Sequence, residues 1–175
     1  LEIICLNDLE NVRSVDETKN NFKGNAILKV KGYFEQYHLP TLADDSGLVI
    51  DALNGEPGVR SHRWPGYEAN DRELVSYALT KLIGAPKSKR TAKLETWTAF
   101  YDGEHLLIEK DAVIGYIVDQ MPKTIEPGFP WRAILFIPQF GKVYRDLTLA
   151  EHQAINHRRK IANRLKPKIK SILGI

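Results

Sequence analysis

One cysteine, Cys5, stands in 175 residues, so no internal disulfide framework braces the chain, and a lone thiol suits a reducing interior. Long hydrophobic runs are missing too. No stretch approaches the roughly 20 apolar residues of a membrane-spanning helix, and no signal-peptide pattern is visible. The expectation is a cytoplasmic protein with no membrane partner. A strong excess of one charge is also lacking, since the net charge is only +3. The positives are uneven, with basic clusters at residues 87–93 and 158–170 that suit anionic ligands or simply a solvated surface. Nucleic acid is a poor candidate partner, because basic charge alone is unspecific and no aromatic platform accompanies it. No internal repeat or low-complexity segment stands out. The hydrophobic content of 43% fits one compact domain over residues 1–175, with room for two lobes.

No initiator methionine opens the chain, and LEIICLNDL reads as a strand already under way over residues 1–6. A polar connection follows over residues 7–20. From Phe22, apolar positions recur at Ala26, Ile27, Val30, Tyr33, Phe34 and Tyr37, a helical period with Asn21 as N-cap and Pro40 beyond the end. Residues 70–84 form the next helix, with Asn70 and Glu73 as a capping box and Gly84 and Pro86 as the stop. Residues 87–118 turn β-rich around an Asp102-Gly103 hairpin turn and read as a structural edge lobe. Residues 121–131, MPKTIEPGFPW, are a loop, and residues 134–143 a strand and turn. Thr148 and Glu151 then open a helical region that carries Ala154, Ile155, Ile161, Ala162, Leu165 and Ile169 on one side.

The stretch that organises the chain is residues 42–66, LADDSGLVIDALNGEPGVRSHRWPG. Asp44, Asp45, Ser46 and Gly47 stand between apolar segments. Asp is poor inside strands, and Gly lets a backbone approach a ligand closely. DDSG therefore reads as a strand end presenting acids and a hydroxyl to something charged. Hard oxygen donors suit magnesium carrying phosphates. The alternative is an Asp-Ser-Gly turn with solvated acids.

Residues 42–63 closely resemble the signature of the inosine/xanthosine triphosphate pyrophosphatases, enzymes that remove deaminated purine nucleotides. Some twenty positions match, far more than a lone Gly-rich motif offers. The resemblance continues through FKGNAILK before them and GFPWRAILFIPQFGKVYRDLTLAEHQAINHR after them. It implies an α/β fold: a mixed central β-sheet flanked by helices, in two lobes with a cleft between them. It also implies a homodimer, a Mg2+ cofactor, and a reaction that splits a nucleoside triphosphate into monophosphate and pyrophosphate. Asp44 and Asp45 would supply the metal contacts and the catalytic base, and Ser46 a phosphate contact. Phe129, with Trp131 beside it, would hold the purine by stacking. His157 and Arg158 would donate to the 6-keto edge, which an adenine amine cannot accept. Arg63 would be a further cation, and His152 stands where the family lysine meets phosphate.

Several family parts are replaced. The helix acid that binds magnesium falls on Gly24, which makes Glu17 or Asp16 the nearest substitutes. Pro130 replaces a glycine, Arg132 an acid and Asn156 a serine. The family's opening strand and T-x-N-x-x-K phosphate turn are expected upstream of this chain or dispensed with. Read without the family, Phe129 and Trp131 are equally loop anchors on the core, and NHRRK is a solvated helix face. Three functions remain: the family reaction on inosine or xanthosine triphosphate, the same hydrolysis with another base preferred, or nucleotide binding without catalysis.

Overall fold

The computed structural model describes residues 2–175. In chain order they form α1 (Phe22–Tyr37), β1 (Thr41–Ile50), α2 (Asp71–Lys81), β2 (Thr91–Tyr101), β3 (Leu106–Ile117), β4 (Leu135–Ile137), β5 (Lys142–Val143), α3 (Leu149–Ile155) and α4 (His157–Leu173). The fold is α/β, as expected. Its sheet has five strands in the order β1-β2-β3-β4-β5. β4 runs antiparallel to both neighbours, with Tyr116 opposite Phe136 and Phe136 opposite Val143.

Local chemistry explains the helices. Asn21 accepts the Gly24 N–H at 2.7 Å to start α1, and His38 ends it in the left-handed region at φ 53°. Phe22, Asn25, Ala26 and Val30 form its buried face. Asn70 accepts two N–H groups at the start of α2 while the Glu73 carboxylate accepts the N–H of Asn70. Both arrangements agree with the spacing in the sequence. Between β2 and β3, Asp102 accepts the N–H groups of Glu104 and His105. Gly103 sits at φ +102° with a Cβ position only 2.6 Å from the Phe34 ring, so glycine is required there twice over.

Contacts divide the chain into two compact units. One comprises Leu1–Asp45, Trp97–Lys110 and Lys160–Ile175. Its interior joins Ala26 and Val30 of α1 to Ala99, with Trp97 and Tyr101 packed alongside. The other comprises Ser46–Thr96 and Asp111–Arg159, built on a larger core that includes Leu48, Ile50, Leu74, Ile117, Ile134 and Leu135.

Three expectations need correction. Residues 2–5 are irregular and Leu6–Asp8 is a single 3-10 turn, so no strand forms there among the described residues; residue 1 lies outside them. Ile3 is 81% exposed, and an apolar run without a paired neighbour has no ladder to hold it extended. The hairpin of residues 87–118 lies between β1 and β4 in the sheet order, not at an edge. The single helical region after Thr148 is two helices. Asn156 turns the backbone out of the helix at ψ 102°, and its side chain accepts the Arg159 N–H at 2.9 Å to start α4.

Candidate active site

DDSG occupies the middle of β1 and not a strand end, because the apolar run Leu48, Val49, Ile50 continues the same strand. Successive strand residues face opposite sides, so Asp44 and Asp45 do not form a side-by-side pair. Asp45 is 9% exposed. Its Oδ2 accepts from Asn25 Nδ2 at 3.1 Å, and its Oδ1 lies 3.3 Å from Lys29 Nζ. The Lys29 ammonium also meets Glu17 Oε1 at 2.8 Å and the Asp44 carbonyl oxygen at 3.1 Å. Asn25 is itself buried, and its Oδ1 accepts the Lys19 N–H at 2.9 Å. Helix α1 thus presents Asn25 and Lys29, one turn apart, to the same carboxylate.

These groups set each other's protonation. Burial pushes the Asp45 carboxyl above the ordinary carboxylate value, opposed by the Lys29 charge and the Asn25 hydrogen bond, while the Glu17 charge adds to the rise. Burial alone would lower Lys29, but the Glu17 hydrogen bond and the charges of Asp45 and Glu17 outweigh it and hold the ammonium above its usual value. A buried acid inclined to take a proton thus sits beside a firmly charged lysine. That pairing suits a base working at a phosphate.

In the second unit, Arg158 Nη2 donates to Ser46 Oγ at 2.6 Å. Phe129 is 45% exposed, and the Arg132 guanidinium lies over its ring, 3.8 Å from the centroid. Glu126 ties Arg132 Nη1 at 3.2 Å, and the Gly128 N–H donates to Asp71 Oδ2 at 2.7 Å, which pins the loop to the start of α2. Tyr144 pairs its hydroxyl with His152 Nε2 at 2.8 Å. Burial raises the Tyr144 hydroxyl, and the nearby charges of Arg132 and Arg158 pull it down. Phe129, Arg132, Tyr144, His152, Arg158 and Ser46 therefore form one aromatic and cationic patch.

The sequence profile of the Ham1 family matches residues 1–168. The chain belongs to the Ham1 family. It is 38% identical over 170 residues to the dITP/XTP pyrophosphatase of Lactobacillus acidophilus, a match spanning 94% of this chain and 82% of that one. Its similarity to the dITP/XTP pyrophosphatase of Geobacillus kaustophilus is 34% identity over 175 residues, covering 99% of this chain and 85% of that one. The fold superposes on the Ham1 protein of Staphylococcus aureus with a TM-score of 0.85 at 30% identity, covering 97% of this chain and 87% of that one.

Within this Ham1 fold the residues singled out in the sequence fall into distinct settings. Asp45 belongs to the Lys29 network, whereas Ser46, Phe129, His152 and Arg158 belong to the aromatic patch. His157 is buried at 4% exposure where α4 begins. Trp131 is buried in the larger core with its ring against Trp64, which makes it the loop's anchor. Arg63 is highly exposed and paired with Glu68 at 3.0 Å. Of the two substitute acids, Glu17 reaches the network. Lys29 and Asn25 were not singled out in the sequence. Their signal lay in FKGNAILK, where a four-residue spacing on a helix puts them on one face. Tyr144 was missed as well, since an aromatic beside a basic residue carries no chemical signature of its own.

Among the described residues, no three His, Cys, Asp or Glu side chains are grouped as a ready metal cage, and no helix is long and apolar enough to cross a membrane. The donors that do converge are oxygens. Glu17, Asp45 and the Asp44 carbonyl surround one cation, the Lys29 ammonium. Such hard donors fit a magnesium-sized ion that brings phosphate oxygens with it, and not one bound by the protein alone.

Proposed function

We propose that this chain hydrolyses non-standard purine nucleoside triphosphates, ITP, dITP and XTP, to the monophosphate and pyrophosphate. The Glu17–Lys29–Asp45 network carries this reading. It unites a buried carboxylate of raised proton affinity with a fixed positive charge, at the stretch where the family signature lies. Water attacks the α phosphorus, and Asp45 accepts its proton. The bond from that phosphorus to the bridging oxygen breaks, and the oxygen leaves with pyrophosphate. Lys29 remains charged and balances negative charge as it builds on the phosphate. The carboxylates of Asp45 and Glu17 and the backbone carbonyl of Asp44 are the groups that would hold Mg2+, which when bound neutralises the polyphosphate.

Ser46, His152 and Arg158 offer hydroxyl and cationic partners for phosphate oxygens. Phe129 offers the base a ring to stack on, and His157 and Arg158 offer donors to its 6-keto oxygen. Trp131 acts by fixing the loop, and Arg63 is assigned no contact. A homodimer in the cytoplasm completes the reading, and sedimentation of the purified chain tests the dimer. The decisive experiment is pyrophosphate release from a panel of nucleoside triphosphates with magnesium. ITP or XTP turned over well above the four standard nucleotides is the expected result. Saturable binding of the same nucleotides without release would leave a nucleotide-binding relative instead.

A further inference from the structure

Two replacements, Pro130 for a glycine and Arg132 for an acid, fall just after Phe129, and both restrain it. Pro130 opens the short helical turn Pro130–Ala133 and is buried. A proline disfavours the helical region for the residue before it, and Phe129 lies outside that region at φ −131° and ψ 54°. Arg132 reaches back over the ring, with its guanidinium 3.8 Å from the centroid, and its N–H donates to the Phe129 carbonyl oxygen at 3.2 Å. The guanidinium is itself held, by Glu126 at 3.2 and 3.4 Å from Nη1 and by the Tyr144 ring at 5.8 Å. Glu126 also takes the Phe129 N–H on its carbonyl oxygen at 3.0 Å. Yet Phe129 is 45% exposed, whereas Trp131, two residues on, is buried. A large apolar ring is thus fixed by its backbone and on one face while much of it stays open to solvent. An anchor packed into the core would be covered, as Trp131 is.

We propose that Arg132 is a positioning residue: by covering one face of the Phe129 ring it holds the ring ready for a nucleotide base to stack on the other. The proposal rests on the reading of Phe129 as the stacking residue. A cation over an aromatic face is attracted by the negative potential there, and a planar guanidinium also stacks on the ring. An acid at position 132 would be repelled from the same face. Without the contact, Phe129 is an exposed side chain on a loop, and binding has to order it at a cost in affinity. The ring stands between the guanidinium and the base, so Arg132 touches no part of the base and treats every base alike. Its effect is on how tightly a nucleotide is held and not on which one is chosen. Glu126 serves the same end one step further back, by keeping the guanidinium over the ring.

The test is a double-mutant cycle on ITP hydrolysis with magnesium, using wild-type protein, Arg132→Ala, Phe129→Ala and the double variant. Arg132→Ala should raise KM about threefold to tenfold, the scale of ordering one side chain on binding, with kcat changed less than about twofold. XTP should lose as much as ITP. In the Phe129→Ala background, Arg132→Ala should add less than about twofold. Arg132→Lys keeps a cation for the ring and should fall between wild type and Arg132→Ala. Inhibition by pyrophosphate, which carries no base, should be the same in every variant. An Arg132→Ala effect that persists without Phe129, or a weakened pyrophosphate inhibition, overturns the proposal, because Arg132 would then act on the nucleotide directly. So does an unchanged KM in Arg132→Ala while Phe129→Ala raises it, which leaves the stacking reading standing. If Phe129→Ala leaves KM unchanged, the stacking reading and the proposal fall together. Calorimetric titration with inosine monophosphate repeats the cycle through binding alone, and a wild-type chain that takes neither nucleotide overturns both. A thermal melt of each variant excludes misfolding as the cause.

Discussion

Asp45 is pulled two ways, and the outcome sets two measurable properties. Burial raises its proton affinity more than Lys29 and Asn25 lower it. A carboxyl whose folded value lies above its unfolded one contributes stability below the unfolded value, and that contribution is lost as pH rises through the folded value. At neutral pH its ionisation therefore costs the fold something. Asp45→Asn, melted in EDTA at neutral pH, should match or exceed the wild-type Tm while turnover falls by at least about a hundredfold, the scale of a lost charge-stabilising group. A large drop in Tm would make Asp45 a structural residue. The acid limb of the rate should also lie above the ordinary value of an aspartate, because burial is the largest influence on this carboxyl. The neighbouring acid follows from geometry. Glu17→Gln should reduce kcat/KM by about tenfold or more. Gly24→Glu should restore nothing, because a Cβ there comes within 2.7 Å of Lys19 Cβ and Cγ. Rescue of Glu17→Gln by Gly24→Glu would show that the acid belongs on α1 after all. In the sequence Glu17 was one of two equivalent acids, and only the position of Lys29 distinguishes them.

At the scale of elements, the parts stated by local chemistry were legible and those decided by distant partners were not. Asn21, Asn70 and Thr148 announced their helices because a capping side chain acts within three residues. The irregular start at residues 2–5 was illegible, since Ile3 and Ile4 suit a strand and only the lack of a paired neighbour decides otherwise. The placement of DDSG inside β1 was hidden in the same way, because its neighbour β2 lies about fifty residues on. Arg90 belongs to this second kind. It is 9% exposed, and its guanidinium donates to the carbonyl oxygens of Leu82, Ala85 and Val118 at 2.9 to 3.0 Å. It thereby ties the end of α2 to the residue that follows β3, a task the sequence showed only as one basic residue in a cluster. Arg90→Met should cost about 3 kcal/mol or more, since three carbonyls, that of Leu82 buried and those of Ala85 and Val118 half-buried, lose a charged donor. Asn70→Ala should cost about 1 kcal/mol, that of a lost cap. Urea denaturation of both variants checks the order, and an Arg90→Met loss no greater than the cap's would mean that water replaces the guanidinium. Gly115 is stricter still, because a Cβ there would stand 2.1 Å from the Phe136 carbonyl oxygen. Gly115→Ala has to separate β3 from β4.

At the scale of the molecule, the signature identified the family while the replacements obscured its chemistry, and the reason is physical. A fold tolerates exchange of polar and charged residues outside its core, so Gly24, Arg132 and Asn156, all half-buried, could change without disturbing the elements that carry them. Under the proposed function, the Lys29 network governs how metal and nucleotide depend on one another. The oxygens of Glu17 and Asp45 already neutralise the Lys29 ammonium, and an ion offered alone must compete with a cation held covalently in place. A nucleotide brings its own phosphate oxygens and removes much of that handicap. Magnesium alone at millimolar concentration should therefore leave Tm nearly unchanged. Magnesium with inosine or xanthosine monophosphate and pyrophosphate should raise it. A ligand at a hundred times its Kd stabilises by about 2.7 kcal/mol, which for a chain of this size is roughly 5 to 11 °C. Lys29→Met should reverse the dependence by freeing both carboxylates, so that magnesium alone shifts Tm while turnover is lost with the missing charge. If wild-type protein instead shifts as far with the metal alone as with metal and nucleotide, the carboxylates bind the ion without regard to Lys29. The network would then be a metal site in its own right.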